Sequence, residues 1–385
     1  MPETLRRLGV AALAALTVAS AAACTDSPSD APAVALPAAP PEQQLAGVCP
    51  ATVVVQLQWE PETDAGPLYG LLGPGYRVDA DNSKVTGPLV VDGKDTGVKL
   101  EIRAGGPAIG FQTVPSQMYV DSSITLGLVH SEQAIAAAGK QPVVAVTTLL
   151  RNSPQMLMWD PKTHPDWKGI ADIGKAGAPV VVSKGQLYPD WLVDRGLLNA
   201  KQIDASYDNS PSRFVADPSS AQQGFASSEP YLYEHEVRAW NKPVAYQLLR
   251  DVGYEGYART VNVRADKLNA LRPCLQRLVP MIQRATARFR TDPKPANDII
   301  VDVVAKSPKF SPYSAELAAA GARVLIDSGL IGPDTDGVIG SFDTARVQRV
   351  IDSFGPILRR GGADVPAGLA AKDLVTTEFI DKEIS

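Results

Sequence analysis

Thr52 to Trp59 reads Thr-Val-Val-Val-Gln-Leu-Gln-Trp, a β-branched, largely apolar run that suits a buried strand. Pro61 to Gly66 breaks it, and Leu68 to Leu72 can start a helix. Working outward, Val98 to Arg103 is a second strand, closed by Gly105-Gly106-Pro107, and a helical stretch follows to about Tyr119. Ile124 to Val129 is a third strand, ending at His130-Ser131-Glu132 ahead of a short helix, Gln133 to Ala138. Pro142 to Leu149 is a fourth. Strands alternating with helices predict a mainly parallel sheet in an α/β fold.

A second α/β unit begins near Trp167, with Ala178 to Ser183 as a short buried strand and Tyr188 to Gly196 as a helix closed by glycine. It ends near Arg250, and Arg259 to Val263 reads as a strand returning to the first unit. Lys267 to Phe289 carries Leu268, Leu271, Leu275, Leu278, Val279 and Ile282 on one helical face. Pro273 and Pro280 are expected to break or kink it. Further helices are expected over 296–305, 315–326 and 344–358.

The chain starts differently. Arg6 and Arg7 precede an apolar stretch from Leu8 to Ala23, and polar sequence begins at Thr25. A positive start, a short apolar middle and small residues make a secretory signal over 1–23, too short and Ala-rich for a membrane span. Cys24 directly after the small residues resembles the acylated first residue of a bacterial lipoprotein, although Ala21 stands where Leu is usual. It would carry a palmitate-type anchor at the outer face of the cell membrane. Plain cleavage within Ala21-Ala22-Ala23 would leave a secreted protein. The Pro- and Ala-rich stretch to residue 50 reads as a flexible tether.

The 385 residues exceed one ordinary core, so two lobes are expected. A net charge of −5 gives no basic face for nucleic acid. With Cys24 lipidated, Cys49 and Cys274 remain as a pair in an oxidising compartment, and a disulfide between them is expected; two buried thiols are the alternative.

The order of segments resembles a known family. The strand running into Trp59-Glu60-Pro61, then Ala65-Gly66-Pro67-Leu68-Tyr69 and Gly75-Tyr76, is similar to the opening of ABC-transporter substrate-binding proteins of the nitrate/sulfonate/taurine and thiamine-pyrimidine-precursor group. The likeness runs loosely from Val53 to about Pro295. It implies a two-lobed type II periplasmic-binding-protein fold that closes over a small-molecule ligand. Lobe 1 would be 51–160 and 251–310, and lobe 2 would be 161–250. The longer, hairpin-like Asp79 to Thr96 departs from the family, and 311–385 reads as a C-terminal helical extension without a family counterpart. Partners would be a permease and an ATPase, the protein would act as a monomer, and no cofactor or metal would be needed.

In open α/β sheets, ligands sit beyond the carboxyl ends of strands. That rule selects Trp59, Glu60, Gly105, Gly106, Ser131, Glu132 and Asn152 in lobe 1, with Tyr69 on the first helix and Arg151 beside Asn152. In lobe 2 it selects Tyr188, Asn209, Ser210, Glu229 and Tyr231. Trp59 and Tyr69 can equally plug the core, Gly105-Gly106 can be a plain turn, Ser131-Glu132 can cap a helix, and Arg151 can pair at the surface. Carboxylates outnumber cations here. With Trp59 and the tyrosines this points to an aromatic or amine-bearing solute, such as an aminopyrimidine.

Two other function classes stand beside this one. A pyrimidine-precursor synthase would share the fold, but the three cysteines are scattered and His130, His164 and His235 form no cluster. There is no G-x-S-x-G elbow, P-loop or H-E-x-x-H, so an enzyme is not expected. A surface lipoprotein acting as sensor or envelope interaction partner is the other.

Overall fold

The computed structural model describes residues 36–385. Cys24, the signal segment and the first part of the expected tether lie outside the described residues. Strands run in chain order β1 (Thr52–Gln56), β2 (Arg77–Asp79), β3 (Lys84–Val91), β4 (Lys94–Arg103), β5 (Leu126–Val129) and β6 (Val143–Leu150). Then come β7 (Gln155–Trp159), β8 (Val180–Val181), β9 (Ile203–Asp204), β10 (Ala221–Phe225), β11 (Ala245–Leu248) and β12 (Ala258–Arg264).

They form two sheets. Lobe 1 has the order β2-β3-β4-β1-β5-β12-β6, and lobe 2 has β11-β7-β10-β8-β9. The centre of lobe 1 is parallel, because β1 pairs with β4 and β5 in the same direction. β12 returns antiparallel between β5 and β6, which makes the sheet mixed. The stretch that departs from the family pattern is an antiparallel edge, β2-β3-β4. β7 pairs with β10 and β11, so lobe 2 takes up residues 155–159 that the sequence reading assigned to lobe 1.

β1 is buried on both faces. Val53, Val55 and Leu57 face helices 268–291 and 294–305, while Val54 faces the opposite layer with Met118 and Ile135. That is why it reads as a continuous apolar run rather than an alternating one.

Three expectations need correction. Helix Leu268–Thr291 runs unbroken through Pro273 and Pro280. Each proline removes one ladder bond, but Cys274, Leu275, Leu278, Val279 and Ile282 are all buried and packing holds the helix. Second, the tether does not extend to residue 50. Ala39 N donates to Asp95 O at 2.7 Å, Leu45 N to Thr96 O at 2.8 Å, and Leu45 is fully buried. Third, the C-terminal stretch is no appendage. Its helices Ala315–Asp327 and Thr344–Arg360 complete the apolar cores described below.

A Cys49–Cys274 disulfide joins the docked N-terminal segment to the long helix, with Cα atoms 4.7 Å apart and a sequence separation of 225. No helix among the described residues is long and apolar enough to cross a membrane.

Candidate functional site

A cleft of about 740 Å³, solvent at its mouth included, opens between the lobes. From lobe 1 it is lined by Trp59, Glu60 and Glu62, and from lobe 2 by Tyr207, Asn209, Glu229 and Tyr233. Ser311, Pro312 and Tyr313 of the C-terminal stretch form a third wall. No lysine or arginine is among the lining residues of the cleft.

The carboxyl end of β1 delivers the lobe 1 wall. Trp59 leans toward Phe111, ring centroids 6.1 Å apart. Glu60 accepts from Ser311 N at 3.2 Å. The turn that follows is held on two sides: Thr63 Oγ1 donates to Asn297 Oδ1 at 2.8 Å, and Thr63 N donates to Tyr313 OH at 3.0 Å. This fixes Glu62 and Asp64 above Arg259, the second residue of β12.

Arg259 is 2% exposed. It pairs with Glu62 and, at 3.3 Å, with Asp64. One guanidinium faces two carboxylates, so the cluster carries one excess negative charge when both are ionised. Burial, opposed by Arg259 and reinforced by Asp64, pushes Glu62 up to about 8. Arg259 Nη1 and Asp64 Oδ1 are buried without a hydrogen-bond partner. Arg259 also has φ +56°, a left-handed conformation that costs a non-glycine residue about 1–3 kcal/mol. Strain and unspent hydrogen-bonding capacity at one residue mark a site under functional constraint. His130, at the end of β5, is pushed down to about 3 by burial and by Arg259, so it is neutral at physiological pH.

Across the cleft, Glu229 Oε2 accepts from Phe225 N at 2.7 Å. Burial pushes its carboxyl up to about 7, with a small contribution from Asp64 on the opposite lobe. Asn209 reaches the cleft from a left-handed backbone, φ +64°, which asparagine tolerates.

Neither family models nor curated proteins give a match to this sequence. Solved structures do. A protein from Bordetella bronchiseptica is 17% identical with a TM-score of 0.53, over 86% of this chain and 96% of its own. The periplasmic aliphatic sulphonate-binding protein SsuA of Escherichia coli gives 14% and 0.53, over 85% and 92%. A sulfonate-binding SsuA of Methylobacillus flagellatus gives 12% and 0.55, over 85% and 92%.

The fold is that of the type II periplasmic binding proteins. A match over 86% of the chain cannot end before residue 311, so the shared periplasmic-binding fold takes in part of the C-terminal stretch that seemed to lack a counterpart.

Within this fold the expected site residues separate. Trp59, Glu60, Asn209 and Glu229 come together in the cleft. Gly105 and Gly106 do not offer their amides to a ligand, because Gly105 N donates to Trp59 O at 2.8 Å and Gly106 N to Gln58 O at 3.0 Å. They are glycines for packing: a Cβ on Gly105 would lie 2.2 Å from Leu57 O, and one on Gly106 2.8 Å from the Trp59 ring. Tyr69 is core. Tyr188 is core as well, donating to Gln223 Oε1 at 3.1 Å. Ser131 is spent on Tyr257, accepting from its N at 2.8 Å. Glu132 lies under helix 344–360, 3.7 Å from where a Cβ on Gly256 would sit, and burial pushes it up to about 7. Asn152 donates its backbone N to Leu330 O at 3.2 Å. Arg151 Nε lies 3.7 Å from Asp334. Ser210 bonds Ser212 at 2.8 Å, and Tyr231 packs on His235 with centroids 4.5 Å apart.

Glu62, Tyr207, Tyr313 and Arg259 were not singled out by sequence. Glu62 had a usable signal, since it repeats Glu60 two positions on in Trp-Glu-Pro-Glu. Among the described residues no group of three or more His, Cys, Asp or Glu is arranged to hold a metal ion.

Proposed function

We propose that this protein is the extracytoplasmic solute-binding component of an ABC importer. It is anchored by lipid on Cys24, captures a small amine-bearing solute with a flat ring between its lobes, and delivers it to a permease. The protein binds and does not catalyse. The observation that carries the ligand class is the cleft wall: three carboxylates, Glu60, Glu62 and Glu229, beside Trp59 and three tyrosines, with no lysine or arginine among the lining residues. A sulfonate needs donors and positive charge, and Arg259 below the cleft faces two carboxylates, Glu62 and Asp64. A protonated amine finds acceptors on both lobes, and an aromatic face can stack on its ring. The sulfonate named for the SsuA structures is therefore not carried over to this chain.

Native mass spectrometry of the purified protein, followed by a thermal-shift panel of aromatic amines, aliphatic amines, sulfonates and nitrate, tests this. Stabilisation by aromatic amines is the expected result; stabilisation by sulfonates or nitrate alone refutes it. Mass measurement of the mature N-terminus tests the lipid, and an unmodified Ala22, Ala23 or Cys24 terminus would replace the anchored form with a secreted one.

A further inference from the structure

Residues beyond 311 hold the two lobes at three separate places. The first is the pair of crossings between lobes. Arg346, 7% exposed, donates from Nε to Glu255 O at 2.8 Å and from Nη1 to Arg151 O at 2.9 Å. Residue 151 lies on the outward crossing between β6 and β7, and residue 255 on the return between β11 and β12. One buried guanidinium thus pins both connections, and it lies 3.8 Å over the Tyr257 ring. Tyr257 OH donates to Asp334 and accepts from Asp343 N at 2.9 Å, which ties the same stretch to β12.

The second place is helix 344–360. Val350, Ile351 and Phe354 belong to one apolar cluster that contains Val54 and Ile135 of lobe 1 and Trp191 and Leu192 of lobe 2. Trp191 Nε1 donates to Ser353 Oγ at 2.7 Å. The third is helix 315–327. Gly321 sits where a Cβ would lie 2.3 Å from Ser227 O of lobe 2 and 2.8 Å from Thr63 Cγ2 of lobe 1. The cluster it helps to close also crosses lobes, from Leu150 and Phe289 to Met156 and Phe214 through Leu325 and Leu330.

Hinge closure needs a few connecting residues free to change φ and ψ. Here both connections are bonded to a third element, and apolar core is continuous across the lobes on two sides. We infer that the C-terminal stretch is a brace that fixes the angle between the lobes, with Arg346 as its positioning residue. Solute then enters by displacement of the short segment over the cleft mouth, where Ser311 is held by one exposed hydrogen bond to Glu60, and not by rotation of the lobes.

The test needs no ligand and so stands apart from the ligand proposal. Nitroxides are placed on the full mature chain at Gln112→Cys in lobe 1 and Lys184→Cys in lobe 2, with Cys24→Ser, and distances are read by pulsed electron resonance. Cys49 and Cys274 are bonded and take no label. The unaltered background is expected to give one narrow distance. Arg346→Met and Gly321→Val are each expected to broaden and lengthen it by several ångströms, with Arg346→Lys in between. Two populations in the unaltered background would overturn the brace. A folded Arg346→Met that melts lower but keeps the narrow distance would reduce Arg346 to a stability role and overturn its assignment. Where Arg346→Met does not fold, the background and Gly321→Ala still decide: a narrow, unshifted distance in folded Gly321→Ala counts against the brace, and a longer one supports it.

Discussion

Two buried arginines do opposite work in this molecule. Arg259 lies under the cleft against Glu62 and Asp64, with Nη1 unpartnered and a left-handed backbone. Arg346 lies at the crossings, bonded to the backbone carbonyls of Arg151 and Glu255 and stacked on Tyr257. The first is surrounded by charge that its partners do not balance, so protons or a ligand can change its state. The second donates to backbone carbonyls, which do not titrate. Buried charge among titratable groups marks a site, and buried charge among carbonyls marks a joint.

The largest expected effect tests the first half of this contrast. Arg259→Met leaves Glu62 and Asp64 buried without a counter-ion, and should cost about 3–5 kcal/mol in urea unfolding at pH 8. The loss should shrink at pH 5, where Glu62 is protonated. Arg346→Met should cost about 2–3 kcal/mol, because hydrogen bonds from a charged donor are lost. That loss should be the same at pH 5 and pH 8, since carbonyls carry no proton. Equal pH dependence in the two variants would break the comparison.

A smaller effect concerns the unaltered protein. Burial raises Glu62 to about 8, and Glu132 and Glu229 to about 7, from 4.5. The folded state therefore holds protons that the unfolded state has released. The stability these groups supply is fully present below pH 4.5 and is lost as pH rises from there toward 7–8. Carboxylates held low, such as Asp121 at about 2, act only below that window. Urea midpoints that rise from pH 5 to pH 8 would contradict this. The smallest effect expected is from Glu229→Gln, which keeps an acceptor for Phe225 N and removes a buried charge. It should stabilise the ligand-free protein more at pH 8 than at pH 5, read from thermal melts.

What was legible in the chain follows from periodicity and position. β1, the alternation into two lobes and the even pair Cys49 and Cys274 were all readable, because each depends on local pattern or on a count. Trp59, Glu60, Asn209 and Glu229 were found by one rule about strand ends. The same rule also selected Gly105, Gly106 and Ser131, whose donors and acceptors are spent within the protein. Local pattern tells where a residue lies on its strand, not which carbonyl from elsewhere takes its N–H. Tyr69 and Tyr188 went to core for a similar reason, since a tyrosine on a short helix serves a cleft or an interior equally well in sequence.

The sequence by itself determined the two α/β lobes and left Cys49 and Cys274 as an even pair able to bond, because burial of apolar runs and a cysteine count leave few alternatives. Only the tertiary structure decided that Arg259 sits beneath the cleft, that Tyr313 closes it, and that Arg346 pins both crossings. Those contacts join residues about 90 to 250 positions apart. A single guanidinium can satisfy any carbonyl or carboxylate within reach, so its partner is set by which backbones the packed helices bring together, and no local pattern encodes that choice.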